Sequence, residues 1–254
     1  MKQLTVAVRE LATRVFRQGD LYPPKQGVRV DAQEGISTQQ IVQKRRKASD
    51  PEFQSEVSLR QPIEMLGQPW ELLGRLDGLT KSSSGSIQIE EYKASRSPDP
   101  RLLPVDLAQA MLYAGMLACS QSLIETSDYS PSIAVAVVYI NPDSLQEHWH
   151  RRSIQPAQAQ LYLAFALTCF AAQLGEHRER QQQRIDWAQA LQFPFGHYRP
   201  HQRAMSQRLY QAISRRENLL IEAATGSGKT MAVLFAALKA QQLDEQLFYL
   251  TSRS

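Results

Sequence analysis

Cysteine is nearly missing from this sequence: two residues in 254, Cys119 and Cys169. Both sit inside apolar helical patterns with no nearby partner, which excludes a disulfide framework and fits buried thiols in a reducing compartment. Two thiolates cannot make a four-cysteine iron–sulfur cluster, so no cluster is expected. Histidine is sparse as well, and His148, His150, His177, His197 and His201 show no spacing suited to zinc and read as surface residues. The most apolar run, residues 161–172, is shorter than the roughly 20 residues a membrane span requires. Met1-Lys2-Gln3-Leu4 begins no apolar leader segment. A cytoplasmic protein without a membrane partner is therefore expected.

What is present suffices for a substantial core, since 43% of the residues are hydrophobic. The formal charge is +4, unevenly spread. Residues 1–195 carry 21 basic and 21 acidic side chains and residues 196–254 carry 8 and 4, so the excess, 8 − 4 = +4, lies in the C-terminal part. That balance is compatible with a nucleic-acid partner but does not require one.

Residues 74–113 are the most informative stretch. Residues 72–79 and 87–92 read as two strands joined by Lys81-Ser82-Ser83-Ser84-Gly85, a turn-rich connection that favours a hairpin. Side chains alternate along a strand, so Glu91 and Lys93 project together and Glu90 projects the other way. Glu90→Gln is therefore expected to do little to cleavage. With Asp77 across the hairpin on the Glu91 face, two carboxylates and an ammonium converge. Hard oxygen donors of this kind suit Mg²⁺ or Mn²⁺ and a phosphodiester, with Lys93 orienting a water or neutralising charge at phosphorus. After Pro104, Leu107, Ala110, Met111, Ala114 and Leu117 recur at helical spacing, and Gln109 and Tyr113 share one face of that helix.

At these residues the chain resembles the RecB-like branch of the PD-(D/E)XK nucleases. Asp77 stands at the family's Asp, Glu91-Tyr92-Lys93 at its Glu-x-Lys, and Gln109 and Tyr113 at its Gln-x-x-x-Tyr. The resemblance implies an α/β fold with a restriction-endonuclease-like mixed sheet, metal-dependent cleavage of DNA as single strands or strand ends, and a catalytic set of Asp77, Glu91, Lys93, Gln109 and Tyr113. Glu56 or Glu34 could add a metal ligand. Relatives often carry a histidine near the first core helix, and Gly35-Ile36-Ser37-Thr38-Gln39 has none.

Elsewhere in the first 150 residues, Val8, Leu11, Ala12 and Val15 predict a helix over residues 4–17 ended by Gly19, before Asp20-Leu21-Tyr22-Pro23-Pro24. A second helix is expected over 38–47, ending in Lys44-Arg45-Arg46-Lys47, which reads equally as a solvated face or a phosphate contact. Residues 56–62 alternate as a strand. Residues 132–140 form a β-branched run typical of a strand buried on both faces, closed by Asn141-Pro142-Asp143. Residues 156–191 read as helical, so a connector is assigned to 151–192.

A new pattern follows Phe193-Pro194-Phe195-Gly196. Pro200 opens a helix, residues 218–222 and 247–251 read as short strands, and between them Ala223-Ala224-Thr225-Gly226-Ser227-Gly228-Lys229-Thr230 turns into a helix. This is a P-loop in a βαβ setting. Its glycines let backbone amides approach phosphate oxygens, the helix N-terminus adds its dipole, Lys229 reaches the β- and γ-phosphates of ATP and Thr230 can ligate Mg²⁺.

Together with Tyr198-Arg199-Pro200-His201-Gln202 and Tyr249-Leu250-Thr251-Ser252-Arg253, the loop resembles the opening of a DinG/XPD-type superfamily 2 DNA helicase. The resemblance implies that Gln202 reads adenine, that Thr225, Gly226, Ser227, Gly228, Lys229 and Thr230 hold nucleotide, and that Thr251 and Arg253 touch the DNA backbone. Such a motor also needs a downstream acidic site, an arginine finger and a second RecA-like domain, none of which is in this sequence. The organisation expected is a nuclease-like domain at 1–150, a helical connector at 151–192, and a truncated RecA-like βαβ unit at 193–254 that can associate through its unpaired edge. The setting implied is DNA repair or recombination. A non-cleaving DNA-binding module and an inactive nucleotide-binding fragment remain open alternatives.

Overall fold

The computed structural model describes residues 4–18, 30–82, 85–120, 132–243 and 245–250. They form a mixed α/β protein divided into two compact units, residues 1–172 and 173–254. Gly19, residues 20–24, Thr251 and Arg253 lie outside the described residues.

Unit 1 is organised on a six-stranded mixed sheet. Its strands are β1 (Leu4–Ala7), β2 (Phe53–Met65), β3 (Gln68–Lys81), β4 (Ile87–Ala94), β5 (Ile133–Ile140) and β6 (Glu147–Ile154), ordered β1-β3-β4-β5-β6 with β2 also paired to β3. The β3–β4 hairpin is antiparallel, with Gly78 opposite Glu90. β4 and β5 are parallel, joined through α3 (Pro104–Cys119). β5 is buried throughout except at Ala134, as its β-branched run requires.

Three elements differ from the sequence reading. Residues 4–7 are a strand rather than the start of a helix, pairing in parallel with β3 from Leu4↔Trp70 to Ala7↔Leu73, and α1 (Val8–Phe16) begins only after it. The open edge of β3 offers backbone partners that helical periodicity cannot reveal. α2 (Ala32–Ser49) starts earlier than expected because Asp31 caps it, accepting the Glu34 N–H at 2.8 Å. β6 was not anticipated and runs past residue 150. Its sequence, Glu-His-Trp-His-Arg-Arg-Ser-Ile, is polar as befits an exposed edge, and it pairs antiparallel with β5.

The two faces of the sheet bury different chemistry. Val8 and Leu11 of α1, Leu112 of α3, and Leu76, Ile89, Val135 and Val137 of the sheet are almost wholly buried. Each such aliphatic side chain contributes roughly 1.5–3 kcal/mol on burial. Val42 of α2 packs with Phe53, Tyr92, Ala136, Val138 and Ile140, bordered by Trp149. Here the basic cluster of α2 has a structural use. Arg46 lies 3.1 Å from Glu90 and 2.5 Å from Glu147 and stacks over the Trp149 ring at 4.8 Å, while Arg45 reaches Glu147 at 3.7 Å.

α4 (Pro156–Ala190) begins in unit 1 and ends in unit 2. By length and composition its apolar part is long enough to cross a membrane, against the shorter run read from the sequence. In this fold Ala159, Leu163, Ala166 and Phe170 form a buried stripe, and Tyr162 stacks on Phe16 of α1.

Unit 2 contains α5 (Gln202–Ser214) and α6 (Lys229–Ala240), packed through Ala212, Ala232, Ala236 and the Ser206 hydroxyl, which donates to the Ala232 carbonyl. Phe193 stacks on Tyr198 at 3.9 Å and meets Phe235 edge-on, so the Phe-Pro-Phe segment is pinned to α6. The strands expected at 218–222 and 247–251 are not formed among the described residues. A strand is stabilised by its ladder and by burial of its faces, and here Leu220 is 98% and Leu250 90% exposed. The expected βαβ unit is therefore present only as its loop and helices.

The far face of β4 gives Glu90 a structural role beyond the expectation that it does little for cleavage. Glu90 does face away from Glu91, but it is 3% exposed and accepts from Arg46, the Tyr92 hydroxyl (2.7 Å) and Gln88 (2.7 Å). Glu90→Gln weakens charge-assisted bonds in a buried network, and a loss of about 1–3 kcal/mol is expected in denaturant unfolding. A variant as stable as wild type would contradict this assignment.

Candidate functional site

A cleft of about 720 Å³ opens beside the β3–β4 hairpin, and its lining includes Gly74, Arg75, Asp77, Glu91, Lys93, Gln109 and Tyr113. Asp77 is fixed from two sides. Its Oδ2 accepts the Tyr92 backbone N–H at 2.8 Å and its Oδ1 accepts Gln39 Nε2 at 2.8 Å. Lys93 Nζ donates to Glu91 Oε1 at 2.8 Å and to Gln109 Oε1 at 3.2 Å, and lies 3.8 Å from Asp106. Glu91 is 1% exposed, and its Oε2 is buried with no hydrogen-bond partner. Such an orphaned acceptor is costly and calls for an explanation.

Charge supplies one. Asp77, Glu91 and Asp106 place three carboxyl groups near the single Lys93 ammonium. Burial and the nearby Asp77 push the Glu91 carboxyl up to about 8, although Lys93 opposes the shift. Burial also raises Asp77. For Lys93 burial acts downward, but Glu91, Asp106 and Asp77 outweigh it and the ammonium stays charged. Burial thus raises the two acids, and the neighbouring carboxyl groups raise the base. A divalent cation would supply balancing charge, since Mg²⁺ is commonly held by one or two carboxylates while keeping several waters. Asp77 and the free oxygen of Glu91 are the donors that fit it.

Other expected residues fall elsewhere. Glu56 is occupied by Gln39, Gln43 and Arg75, and Glu34 pairs with Arg96. Among the described residues no group of three His, Cys, Asp or Glu is placed to hold a metal ion. Tyr113 donates its hydroxyl to the Arg75 carbonyl at 2.9 Å, and its phenol is raised by burial, so it braces β3. A Cβ on Gly74 would stand 2.5 Å from the Tyr113 ring, which explains glycine there. Three residues escaped the sequence reading: Gln39, which lines the cleft, and Gln43 and Asp106, which contact the side chains around it. Asp106 had a signal, lying three residues before Gln109 on one helical face.

The second cleft, about 850 Å³, is lined by Phe195, His197, Arg199, Gln202, Thr225, Gly226, Gly228, Lys229, Thr230 and Met231. Gly226 and Gly228 have φ of 83° and 79°, the left-handed region that favours glycine. Gln202 is turned onto the loop. Its carbonyl accepts the Arg199 N–H at 3.0 Å, its amide donates to the Gly228 carbonyl at 3.0 Å, and a Cβ on Gly228 would collide with it at 2.2 Å. Lys229 Nζ donates to the Ala223 and Ala224 carbonyls, both at 2.7 Å, and Arg199 donates to the Gly226 carbonyl. The Ser227 hydroxyl is buried without a partner, and Thr230 Oγ1 accepts Tyr249 OH at 3.3 Å.

The family model for the res subunit of type III restriction enzymes matches residues 196–253, which include this loop. That part of the chain is thus similar to a helicase-like domain of the superfamily 2 kind, which suggests ATP binding. No curated protein matches the chain. Among solved structures, the crystal structure of SSO0001 aligns at a TM-score of 0.42 and 16% identity, over 66% of this chain and 78% of that one. So loose a likeness carries no assignment.

The buried acid gives a pH test with a definite sign. Glu91 holds its proton to about pH 8 when folded and releases it near 4.5 when unfolded. The folded state binds more protons in that window, so the Glu91 contribution to stability is full below about 4.5 and is lost as pH rises through 8. In metal-free buffer, Glu91→Gln should gain stability relative to wild type between pH 5 and 8.5, measured by thermal unfolding. A constant difference would contradict the burial argument.

Proposed function

We propose that the chain is a DNA-processing hydrolase in which the cleft of unit 1 cleaves phosphodiester bonds with Mg²⁺ or Mn²⁺ and the helicase-like region binds ATP. The observation that carries the first part is the buried, unpartnered Oε2 of Glu91 in the same cleft as Asp77 and Lys93. The nuclease reading refines the mixed α/β fold to a RecB-like PD-(D/E)XK core. The helicase-like match is refined likewise to a DinG/XPD-type motor acting in DNA repair or recombination.

Asp77 and Glu91 would hold the cation, with Asp77 oriented by Gln39 and the Tyr92 amide. When bound, the cation supplies Lewis-acid stabilisation of charge at phosphorus. Lys93, kept protonated by its carboxylate neighbours, donates to the scissile phosphate instead of accepting a proton from water. Gln109 aims that ammonium, and Tyr113 holds β3 in register beneath it.

Labelled single- and double-stranded DNA should be cut in Mg²⁺ or Mn²⁺ and spared in EDTA. Lys93→Ala should slow cleavage about 10²–10³-fold, the usual cost of one transition-state donor. Cleavage insensitive to EDTA would refute the metal reading. That no third carboxylate, histidine or cysteine joins the pair among the described residues favours one alternative, a DNA-binding module that positions the motor. DNA retained in a mobility shift without products would identify that case.

At the P-loop, nucleotide phosphates would take Lys229 from the Ala223 and Ala224 carbonyls and supply an acceptor near the unpartnered Ser227 hydroxyl. ATP binding, read with a fluorescent analogue, should weaken roughly 10–100-fold in Lys229→Ala, the worth of a charge-assisted bond. Equal binding by both proteins would remove the nucleotide assignment.

A further inference from the structure

Two glutamines one helical turn apart on α2 reach Glu56 and Asp77. Gln39 Nε2 donates both to Asp77 Oδ1 at 2.8 Å and to Glu56 Oε1 at 2.9 Å. Gln43 Nε2 donates to Glu56 Oε1 at 2.7 Å and to the Asp77 carbonyl at 3.0 Å. Arg75 Nε completes the set, 2.8 Å from Glu56 Oε2. Both oxygens of Glu56 are thus satisfied by three donors.

The backbone at Glu56 is also unusual. Its φ is 57°, a left-handed value uncommon for a residue with a Cβ. Glu56 and Asp77 stand opposite each other in a gap of the β2–β3 ladder, between the pairs Ser55↔Gly78 and Val57↔Leu76. A strained conformation persists where its surroundings over-determine it, and such residues cluster at functional sites. Here two carboxyl groups are drawn toward one carboxamide despite their mutual repulsion.

We propose that Gln39 is the positioning residue of the cation site, and that Glu56, fixed by Gln43 and Arg75, is the anchor that aims Gln39 at Asp77. The proposal rests on the metal reading of the cleft and adds how Asp77 is oriented. A half-exposed glutamine has many rotamers. Tying its second N–H to an immobile Glu56 leaves one that meets Asp77 Oδ1, while the Tyr92 amide fixes Oδ2. Both Asp77 oxygens keep a lone pair for a cation. Glu56 acts through Gln39 and does not itself ligate.

Mn²⁺ binding to the full chain, followed by electron paramagnetic resonance and calorimetry, tests this without reference to cleavage. Gln39→Met keeps the side-chain length and removes the donors. Glu56→Gly keeps the left-handed backbone and removes the anchor. Each should weaken Mn²⁺ binding about tenfold, the lower end for groups that orient a metal ligand, and broaden the bound-Mn²⁺ spectrum. Asp77→Asn should abolish binding. Thermal midpoints measured alongside separate this loss from a folding defect, and Glu56→Gly decides alone if Gln39→Met does not fold. Wild-type affinity in both variants would overturn the inference and leave the metal reading standing. Loss in Glu56→Gly as complete as in Asp77→Asn would make Glu56 a ligand and also overturn it. A wild-type protein that binds no Mn²⁺ would remove the metal reading and this inference together.

Discussion

A carboxyl group is buried in the middle of a sheet with one oxygen on an ammonium and the other on nothing. That constraint at Glu91 determines what its neighbours must be. An isolated buried charge is prohibitively costly, so the site must neutralise it by a proton, by Lys93 or by a bound cation. The polar side chains of α3 answer it from one direction, with Gln109 and Asp106 holding the ammonium. α2 answers from another, through Gln39 on Asp77. The hydrophobic core around β4 and β5 keeps these groups in place at fixed spacing.

The two faces of β4 show how one alternating strand can serve two tasks. Glu91 and Lys93 meet the cleft, whereas Glu90 and Tyr92 lock to Arg46 and so join α2 to the edge strand that carries Glu147 and Trp149. Strength on the second face supports precision on the first, because α2 carries Gln39 and Gln43 on the same rigid element as Arg46. The P-loop follows a different logic. Its carbonyls are satisfied internally, by Lys229, Arg199 and Gln202, while the Ser227 hydroxyl is left without a partner.

Much of this was legible in the sequence where local pattern decides structure. The alternation at 87–93 separates Glu90 from Glu91, the β-branched run gives β5, and Pro104 with its apolar spacing gives α3. The glycine spacing of the P-loop likewise gives a turn into α6. What was not legible depends on partners far along the chain. Residues 4–7 become a strand only because β3 has an open edge, and β6 is too polar to announce itself. Gln39 meets Asp77 across 38 positions, and the left-handed turn at Glu56 has no glycine to mark it. The pattern that put Glu90 on the far face could not show that Arg46 waits there. Similarly, apolar runs at 218–222 and 247–250 read as strands, but a strand also needs a neighbour to pair with.

The central claim is that Asp77 and the free oxygen of Glu91 form a divalent-cation site. Crystals of the wild-type protein and of Glu91→Gln, soaked in Mn²⁺ and measured at the manganese absorption edge, test it most directly. The account predicts an anomalous peak within coordinating distance, about 2.0–2.3 Å, of Asp77 and Glu91 Oε2 in wild type, and none in the variant. No peak in the cleft, or a peak that persists unchanged in Glu91→Gln, would contradict it.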